Sequence, residues 1–221
     1  MAPPYCYDYP RPAVTVDLVV FTLLEGELRV LLIRRQHPPF EGHWALPGGF
    51  LEIDEPIESA ARRELREETG FEVTGPISEL GVFGAPGRDP RGRTISVVYS
   101  VAVRAPIADV QGGDDASEAR WIDPNGTGAL AFDHDAILSR ARTWLDRAVE
   151  EGPSGISLLP ESFTADDVKR LFRALGKSPR QSPAWMKRQL KNRLISPVPG
   201  RDGYFQNVDQ SQDIRDLTST V

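Results

Sequence analysis

The spacing of apolar and polar positions changes several times along the chain, and each change marks an element. Ala13 to Phe21 (AVTVDLVVF) and Leu28 to Arg34 (LRVLLIR) are β-branched, mostly apolar runs separated by Leu24-Glu25-Gly26-Glu27. That pattern predicts two buried strands joined by a hairpin turn. Pro38, Pro39 and Gly42 then impose a loop, and Trp44-Ala45-Leu46 leads into Pro47-Gly48-Gly49, a turn where backbone can approach a ligand closely. No helix breaker interrupts Pro56 to Thr69. Pro56 suits a first helical position, Glu55 favours the N-terminal dipole and Gly70 suits a left-handed cap, so a helix is predicted here. Phe71 to Val73, Leu80 to Phe83, Ile95 to Val103 and Glu118 to Ile122 read as further strands, with an arginine-rich loop from Arg88 to Arg93. Asp133 or Asp135 is expected to cap a helix in which Ile137, Ala141, Leu145 and Ala148 keep helical spacing.

Beyond Gly152-Pro153-Ser154-Gly155, read as a linker, the composition changes. Thr164 with Asp167 makes a capping-box-like start for a helix whose apolar stripe is Val168, Leu171, Phe172 and Leu175, ended by Gly176. A second helix is expected from Ser182-Pro183 to about Leu194, followed by a small hairpin around Gly200 to Gly203. The tail after that is polar and aperiodic, which predicts mobility. The expected domains are 1–152, 153–205 and a flexible tail 206–221.

Charge sharpens this division. Residues 1–159 carry 15 Arg, no Lys and 25 Asp and Glu, a net charge of −10, whereas 160–205 carry 10 Lys and Arg against 4 acids, a net charge of +6. Such a step suggests two units with different partners, because a positive surface attracts polyanions that an acidic one repels. No run approaches the roughly 18 to 20 apolar residues that span a bilayer, and Met1 to Pro10 has no signal-peptide pattern, so no membrane partner and a cytoplasmic location are expected. Cys6 is the single cysteine and cannot form an internal disulfide.

The chemistry concentrates between Gly49 and Phe71: Gly49, five residues, Glu55, seven residues, then Arg63-Glu64-Leu65-Arg66-Glu67-Glu68-Thr69-Gly70-Phe71. On a helix, Glu64, Glu67 and Glu68 fall within an arc of roughly 100°. Three like charges so close are costly unless a cation neutralises them, and hard oxygen donors of this kind suit Mg²⁺ or Mn²⁺. Arg63 can pair with Glu67 four residues on. The segment resembles the Nudix box at every defining position. That resemblance, over about residues 10 to 150, implies an α/β/α sandwich with a mixed sheet and metal-assisted hydrolysis of a pyrophosphate. It also implies metal ligation by Glu64, Glu67, Glu68 and the carbonyl of Gly48. The general base stays open between Glu64 and the downstream acids Asp114, Asp115 and Glu118. Candidate substrate contacts are Arg34, Arg88, Arg91 and Arg93 for phosphates, Phe40 or Trp44 for a base, Gly49 for close backbone approach, and His134.

The loop around Phe40 to Phe50, together with a short C-terminal extension, resembles the ADP-ribose pyrophosphatase branch and also the Nudix-related transcriptional regulators of NAD metabolism. The first implies hydrolysis of a nucleoside diphosphate derivative, ADP-ribose foremost, by a homodimer. The second implies a winged-helix-like C-terminal piece in which Lys187, Arg188, Lys191 and Arg193 neutralise DNA phosphates.

Overall fold

The computed structural model describes residues 8–105, 109–113 and 115–208. Strand β1 (Ala13–Leu24) turns through Glu25 and Gly26, both with positive φ (52° and 82°), into β2 (Glu27–Arg35). The hairpin register pairs Leu24 with Glu27 and Phe21 with Val30. Two consecutive positive-φ residues give the backbone twist a tight hairpin needs. Short strands β3 (Trp44–Ala45) and β4 (Gly48–Phe50) follow, and then helix α1 (Ile57–Thr69). Gly70, at φ 68°, caps α1 by donating its N–H to the Arg66 carbonyl, where only glycine enters the left-handed region without strain. Strands β5 (Ser78–Phe83), β6 (Thr94–Val103) and β7 (Ala116–Ile122) precede helix α2 (His134–Glu151).

The seven strands form one sheet in the order β3-β2-β1-β6-β5, with β4 paired to β1 and β7 to β2. Val16 and the run Leu18 to Phe21 on β1, with Val30 to Ile33 on β2, are all buried. Burial on both faces explains why these strands read as continuous apolar runs rather than alternating ones. The segment Phe71 to Val73, expected as a strand, is not one. Phe71 is buried edge-to-face against Trp121, with centroids 5.7 Å apart, so its apolar character reports packing and not strand pairing.

The chain divides into two compact units: residues 1–19, 31–100 and 109–141, and residues 20–30, 101–108 and 142–221. The expected boundary at 152 therefore falls inside the second unit. There, α3 (Pro153–Ile156) replaces the expected linker, and a Cβ on Gly155 would lie 2.3 Å from the Val149 Cα. The glycine permits close packing rather than flexibility. Next come β8 (Ser162–Thr164), α4 (Ala165–Ala174), a 3-10 turn (Pro179–Gln181), α5 (Ser182–Lys191), β9 (Ile195–Pro197) and β10 (Tyr204–Asn207). The expected capping box forms: Thr164 accepts from the Asp167 N–H while the Asp167 carboxylate accepts from the Thr164 N–H.

Strands β8, β10 and β9 make a three-stranded antiparallel sheet. Its pairing includes Gln206 and Asn207, so the ordered chain runs past the expected start of the tail at 206. Trp185, fully buried, packs edge-to-face on Phe172 and donates its indole N–H to the Val149 carbonyl at 2.6 Å. Glu150 receives Arg188 and Lys177. These contacts join the last turns of α2 to the C-terminal helices, which is why the unit begins before the composition changes. Helix α5 stops at Lys191; Arg193, at φ 56°, lies beyond it and not on it as expected. Among the described residues no helix is long and apolar enough to cross a membrane. Cys6 and Asp114 lie outside the described residues.

Candidate active site

Within the first unit, α1, β4 and the inner end of β1 enclose a cavity of about 330 Å³. Glycine makes the approach of these elements possible. A Cβ on Gly49 would sit 2.6 Å from the Glu64 carboxyl group, and one on Gly48 would sit 2.1 Å from the Val16 carbonyl oxygen. The Gly48 N–H donates to Glu68 Oε2 at 2.8 Å, fixing that carboxylate against the turn.

Four side chains of α1 reach the cavity: Arg63, Glu64, Glu67 and Glu68. Arg63 grips Glu55 through two bonds (3.1 and 2.6 Å) and donates from Nη1 to both Glu64 (2.8 Å) and Glu67 (3.0 Å). Glu55 is thus an anchor for Arg63, a more specific task than the helix-dipole role read from its position. The Glu55 hydrogen bonds, followed by those from Glu64 and Glu67, hold the Arg63 guanidinium well above its ordinary pKa. Burial raises the Glu64 pKa against the opposing pull of Arg63. Burial raises Glu68 much further; the Gly48 N–H opposes it, while Glu64 and Asp17 add repulsion. Two neighbouring carboxyl groups therefore resist being ionised together.

Sequence reasoning missed most of the opposite wall. Asp17, buried on β1, accepts from the Ser96 hydroxyl and lies 3.5 Å from Nε2 of His134. His134, also buried, accepts the Leu46 N–H on Nδ1 at 2.9 Å, and burial lowers its pKa. With Nδ1 committed as an acceptor, the ring is neutral and carries its proton on Nε2, facing Asp17. Arg88 donates three bonds of 2.7 to 3.2 Å to Asp133, and Arg91 similarly clasps the buried Asp89. Arg88 and Arg91, two of the arginines expected to bind phosphate, thus line the cavity already paired with carboxylates, whereas Arg93 does not line it and donates to the Gly84 carbonyl.

Other expected contacts lie elsewhere. Arg34 donates to the Gly42 carbonyl and stands 3.9 Å from Glu118, away from the cavity; its neighbour Arg35 lines it instead. Leu31, Leu32 and Ile33 are all buried, so hydropathy gave no strand parity by which to choose between the two arginines. Glu118 pairs with Arg120 and Arg34, while Asp115 is the downstream acid that lines the cavity, its carbonyl held by the Gln36 N–H. Phe40 does not line it but packs at 4.8 Å on Phe132, which does. Trp44 sits in β3, outside the lining. Lys187, Arg188, Lys191 and Arg193 belong to the second unit and are all exposed.

A region with these features has named relatives. An ADP-ribose pyrophosphatase of Methanocaldococcus jannaschii is 43% identical over 136 residues, covering 62% of this chain and 76% of the relative. An ADPR responsive transcriptional repressor of Acinetobacter baylyi is 30% identical over 192 residues, covering 85% and 76%. The crystal structure of Shewanella oneidensis NrtR complexed with a 27mer DNA is similar at a TM-score of 0.72 and 27% identity, covering 89% of this chain and 93% of that one. The NUDIX domain matches residues 13–145, which hold the whole cavity. The chain belongs to the NUDIX family, and its carboxylate helix is that of a Nudix pyrophosphohydrolase.

Proposed function

We propose that the protein hydrolyses the pyrophosphate of ADP-ribose, giving AMP and ribose 5-phosphate, with Mg²⁺ or Mn²⁺. One observation carries this reading: the cavity is lined by seven carboxylates against four arginines, an excess of negative charge where a doubly negative diphosphate has to bind. Coulomb repulsion forbids that encounter unless cations intervene. The donors suit a hard divalent ion: Glu64, Glu67 and Glu68 share one wall with the Gly48 turn, and Glu64 and Glu68 carry the penalty of burial, with repulsion from neighbouring carboxylates, that a cation relieves. No group of three such side chains among the described residues stands ready to hold an ion, and Arg63 Nη1 bridges Glu64 and Glu67. Loading then requires these carboxylates to turn toward the ion.

Bound there, the metal supplies charge neutralisation and a more acidic water. The protein does the rest. Glu67, Glu68 and the Gly48 carbonyl would hold the ion, with Glu64 beside them. Glu64, which lines the cavity beside Glu67 and Glu68, would accept the proton of the attacking water. Arg63 keeps Glu64 and Glu67 aligned through its grip on Glu55. Water oxygen would bond to phosphorus as the bridging P–O bond breaks, the water's proton passing to Glu64 and the bridging oxygen departing on the leaving phosphate. Product release from ADP-ribose, NADH, dinucleoside polyphosphates and nucleoside triphosphates with Mg²⁺ tests the reading. Turnover is expected to be highest on ADP-ribose and to collapse in Glu68→Gln; a wild-type chain that turns over none of them sinks it.

A second reading rests on a separate observation. In the second unit α4, α5 and the β8-β10-β9 sheet make a helix pair with a small sheet, and α5 exposes Lys187, Arg188 and Lys191. This supports a winged-helix-like DNA-binding piece and a regulator that senses ADP-ribose, in keeping with the Acinetobacter and Shewanella relatives. A homodimer, cytoplasmic in location, fits either reading. Fluorescence anisotropy of the full chain on duplex DNA, with and without ADP-ribose, separates the two: salt-sensitive binding released by the ligand supports the regulator, and no binding removes it.

A further inference from the structure

The lip of the cavity carries an arrangement that pyrophosphate chemistry does not need. Phe50, directly after Gly49 on β4, leaves 46% of its surface exposed although it lines the cavity. The guanidinium carbon of Arg91 lies 5.1 Å from the centre of that ring and 5.7 Å from the centre of the Phe132 ring. Arg35 stands over Phe132 as well, at 4.9 Å. Arg91 does not arrive there by chance of a loose side chain. The buried Asp89 accepts its backbone N–H at 2.9 Å and takes Nε and Nη2 in the plane of the guanidinium, which leaves the flat faces for aromatic contact. Phe132, at φ 54°, is held in a conformation that bulky side chains rarely adopt, and the Phe40 ring packs beside it.

An exposed phenyl ring and a planar, weakly hydrated cation held by its edge are what a flat aromatic ligand stacks on. A diphosphate or a bare sugar has no planar ring to stack on either, and the charge of Arg91 is already offset by Asp89. We propose that Phe50 and Arg91, backed by Phe132, form the seat for the planar base of the nucleoside diphosphate, so that this lip selects nucleotides over base-free diphosphates. The inference rests on the hydrolase reading for its ligand class and extends it from the bond that is cut to the half of the molecule that is recognised. It also moves Arg91 from the phosphate-binding role read in the sequence to recognition of the base, since Asp89 takes the Nε and Nη2 side of its guanidinium and offsets its charge.

The test compares two ligands that share the diphosphate and differ in the base: ADP-ribose, and two ribose 5-phosphates joined through a diphosphate. Calorimetric binding and steady-state turnover are both measured on the full chain with Mg²⁺. Stacking of one base on an aromatic ring corresponds to roughly tenfold or more in affinity, so Phe50→Ala is expected to cut the preference for ADP-ribose about tenfold, chiefly through KM. Phe50→Trp restores it, and Arg91→Lys, which keeps the charge but loses the plane, cuts it again. A wild type that binds the two ligands equally overturns the seat, as does a Phe50→Ala chain with undiminished preference or a loss shared equally by both ligands. A wild type that prefers ADP-ribose in binding yet turns over neither ligand overturns the hydrolase reading and leaves the seat standing. Binding of neither overturns both.

Discussion

Helices α1 and α5 both carry clustered like charges, and they treat them in opposite ways. On α1, Glu68 is 5% exposed and Glu64 is largely desolvated, so burial raises both pKa values, and a neighbouring carboxylate adds to each: Glu67 for Glu64, and Glu64 for Glu68. On α5, Lys187, Arg188 and Lys191 face solvent, where separate hydration makes their proximity nearly free. A buried cluster costs stability, which needs a compensating role; an exposed one costs almost nothing and so implies little by itself. This is why the same sequence signal, a run of like charges on a helix, argues strongly for a site in one region and only permits one in the other.

Glu68→Gln is the sharpest way to break that contrast. If burial of the charge serves catalysis, kcat falls by more than the roughly 10- to 100-fold seen for groups that only support a metal's ligands. The same substitution should raise the melting temperature of chelator-treated protein, because it removes a buried ionisable group. The sign follows from the raised pKa. Stability from a protonated Glu68 is fully present below the ordinary carboxylate range and is lost as pH rises through the elevated folded value. Metal-free wild type should therefore soften with rising pH and Glu68→Gln should not. Parallel melting curves for the two chains across that range would remove the cost on which the comparison depends.

His134 extends the comparison to a buried group that is neutral. His134→Ala strands the Leu46 N–H and is expected to cost about 1 to 3 kcal/mol from that loss alone, with further loss from the vacated space. Its folded pKa is lowered, so the unfolded chain takes up a proton first. Stability is present above the ordinary imidazole range and declines as pH falls through it toward the lower folded value. His134→Asn retains an acceptor without a titrating ring and should flatten that decline. Denaturant unfolding at several pH values reads both effects, and an unchanged pH profile in His134→Asn would assign the acid sensitivity elsewhere.

The two regions also differ in how much the sequence revealed. Nearly all of α1 was legible, because helix punctuation and the spacing of Glu64, Glu67 and Glu68 are local; only the start differs, Pro56 being the extended N-cap before Ile57 rather than the first helical residue. The Thr164 and Asp167 capping box was legible for the same reason. The opposite wall was not: Asp17, Arg35, Asp89 and Phe132 meet only after β1, β2 and two loops have been folded together. Nothing in the chain near Asp17 announces Ser96 or His134 as its partners. In the second unit the Gly152 to Gly155 segment read as a linker because glycine and proline signal turns equally well in a loose chain and in a packed one. The segment turns back onto the end of α2, close to Val149, whose carbonyl also accepts the Trp185 indole N–H.

On the exposed side, Lys187→Ala with Lys191→Ala asks whether α5 is anything more than a solvated surface. If DNA lies along it, affinity falls on all sequences, and the slope of log affinity against log salt becomes shallower by about one for each phosphate no longer neutralised, or about two for the pair. Turnover of ADP-ribose should be unmoved by either change, since neither residue lines the cavity. Anisotropy titrations at several salt concentrations give the slope, and a slope identical to wild type would return α5 to the status of an ordinary hydrated face.

The smallest effect is expected at Arg188, and it separates two kinds of exposed charge on one helix. Its guanidinium donates to the Glu150 carboxylate and to the Glu150 carbonyl at 3.0 Å, while Lys177 reaches the same carboxylate at 3.2 Å. The hydrogen bonds from these two cations, set against burial, keep the Glu150 pKa below the ordinary range. With the pair about half exposed, solvent screening leaves it worth under about 1 kcal/mol, so Arg188→Ala should lower stability slightly. Its cost to DNA affinity should be less than that of Lys187→Ala, because a guanidinium already engaged by Glu150 has to break that pairing before it can meet a phosphate. Lowering the pH through the depressed range of Glu150 should erase the stability difference between Arg188→Ala and wild type, since the protonated acid no longer attracts the arginine. Should Arg188→Ala weaken DNA binding as much as either lysine variant, the tether to Glu150 yields to phosphate, and all three cations of α5 act as one surface.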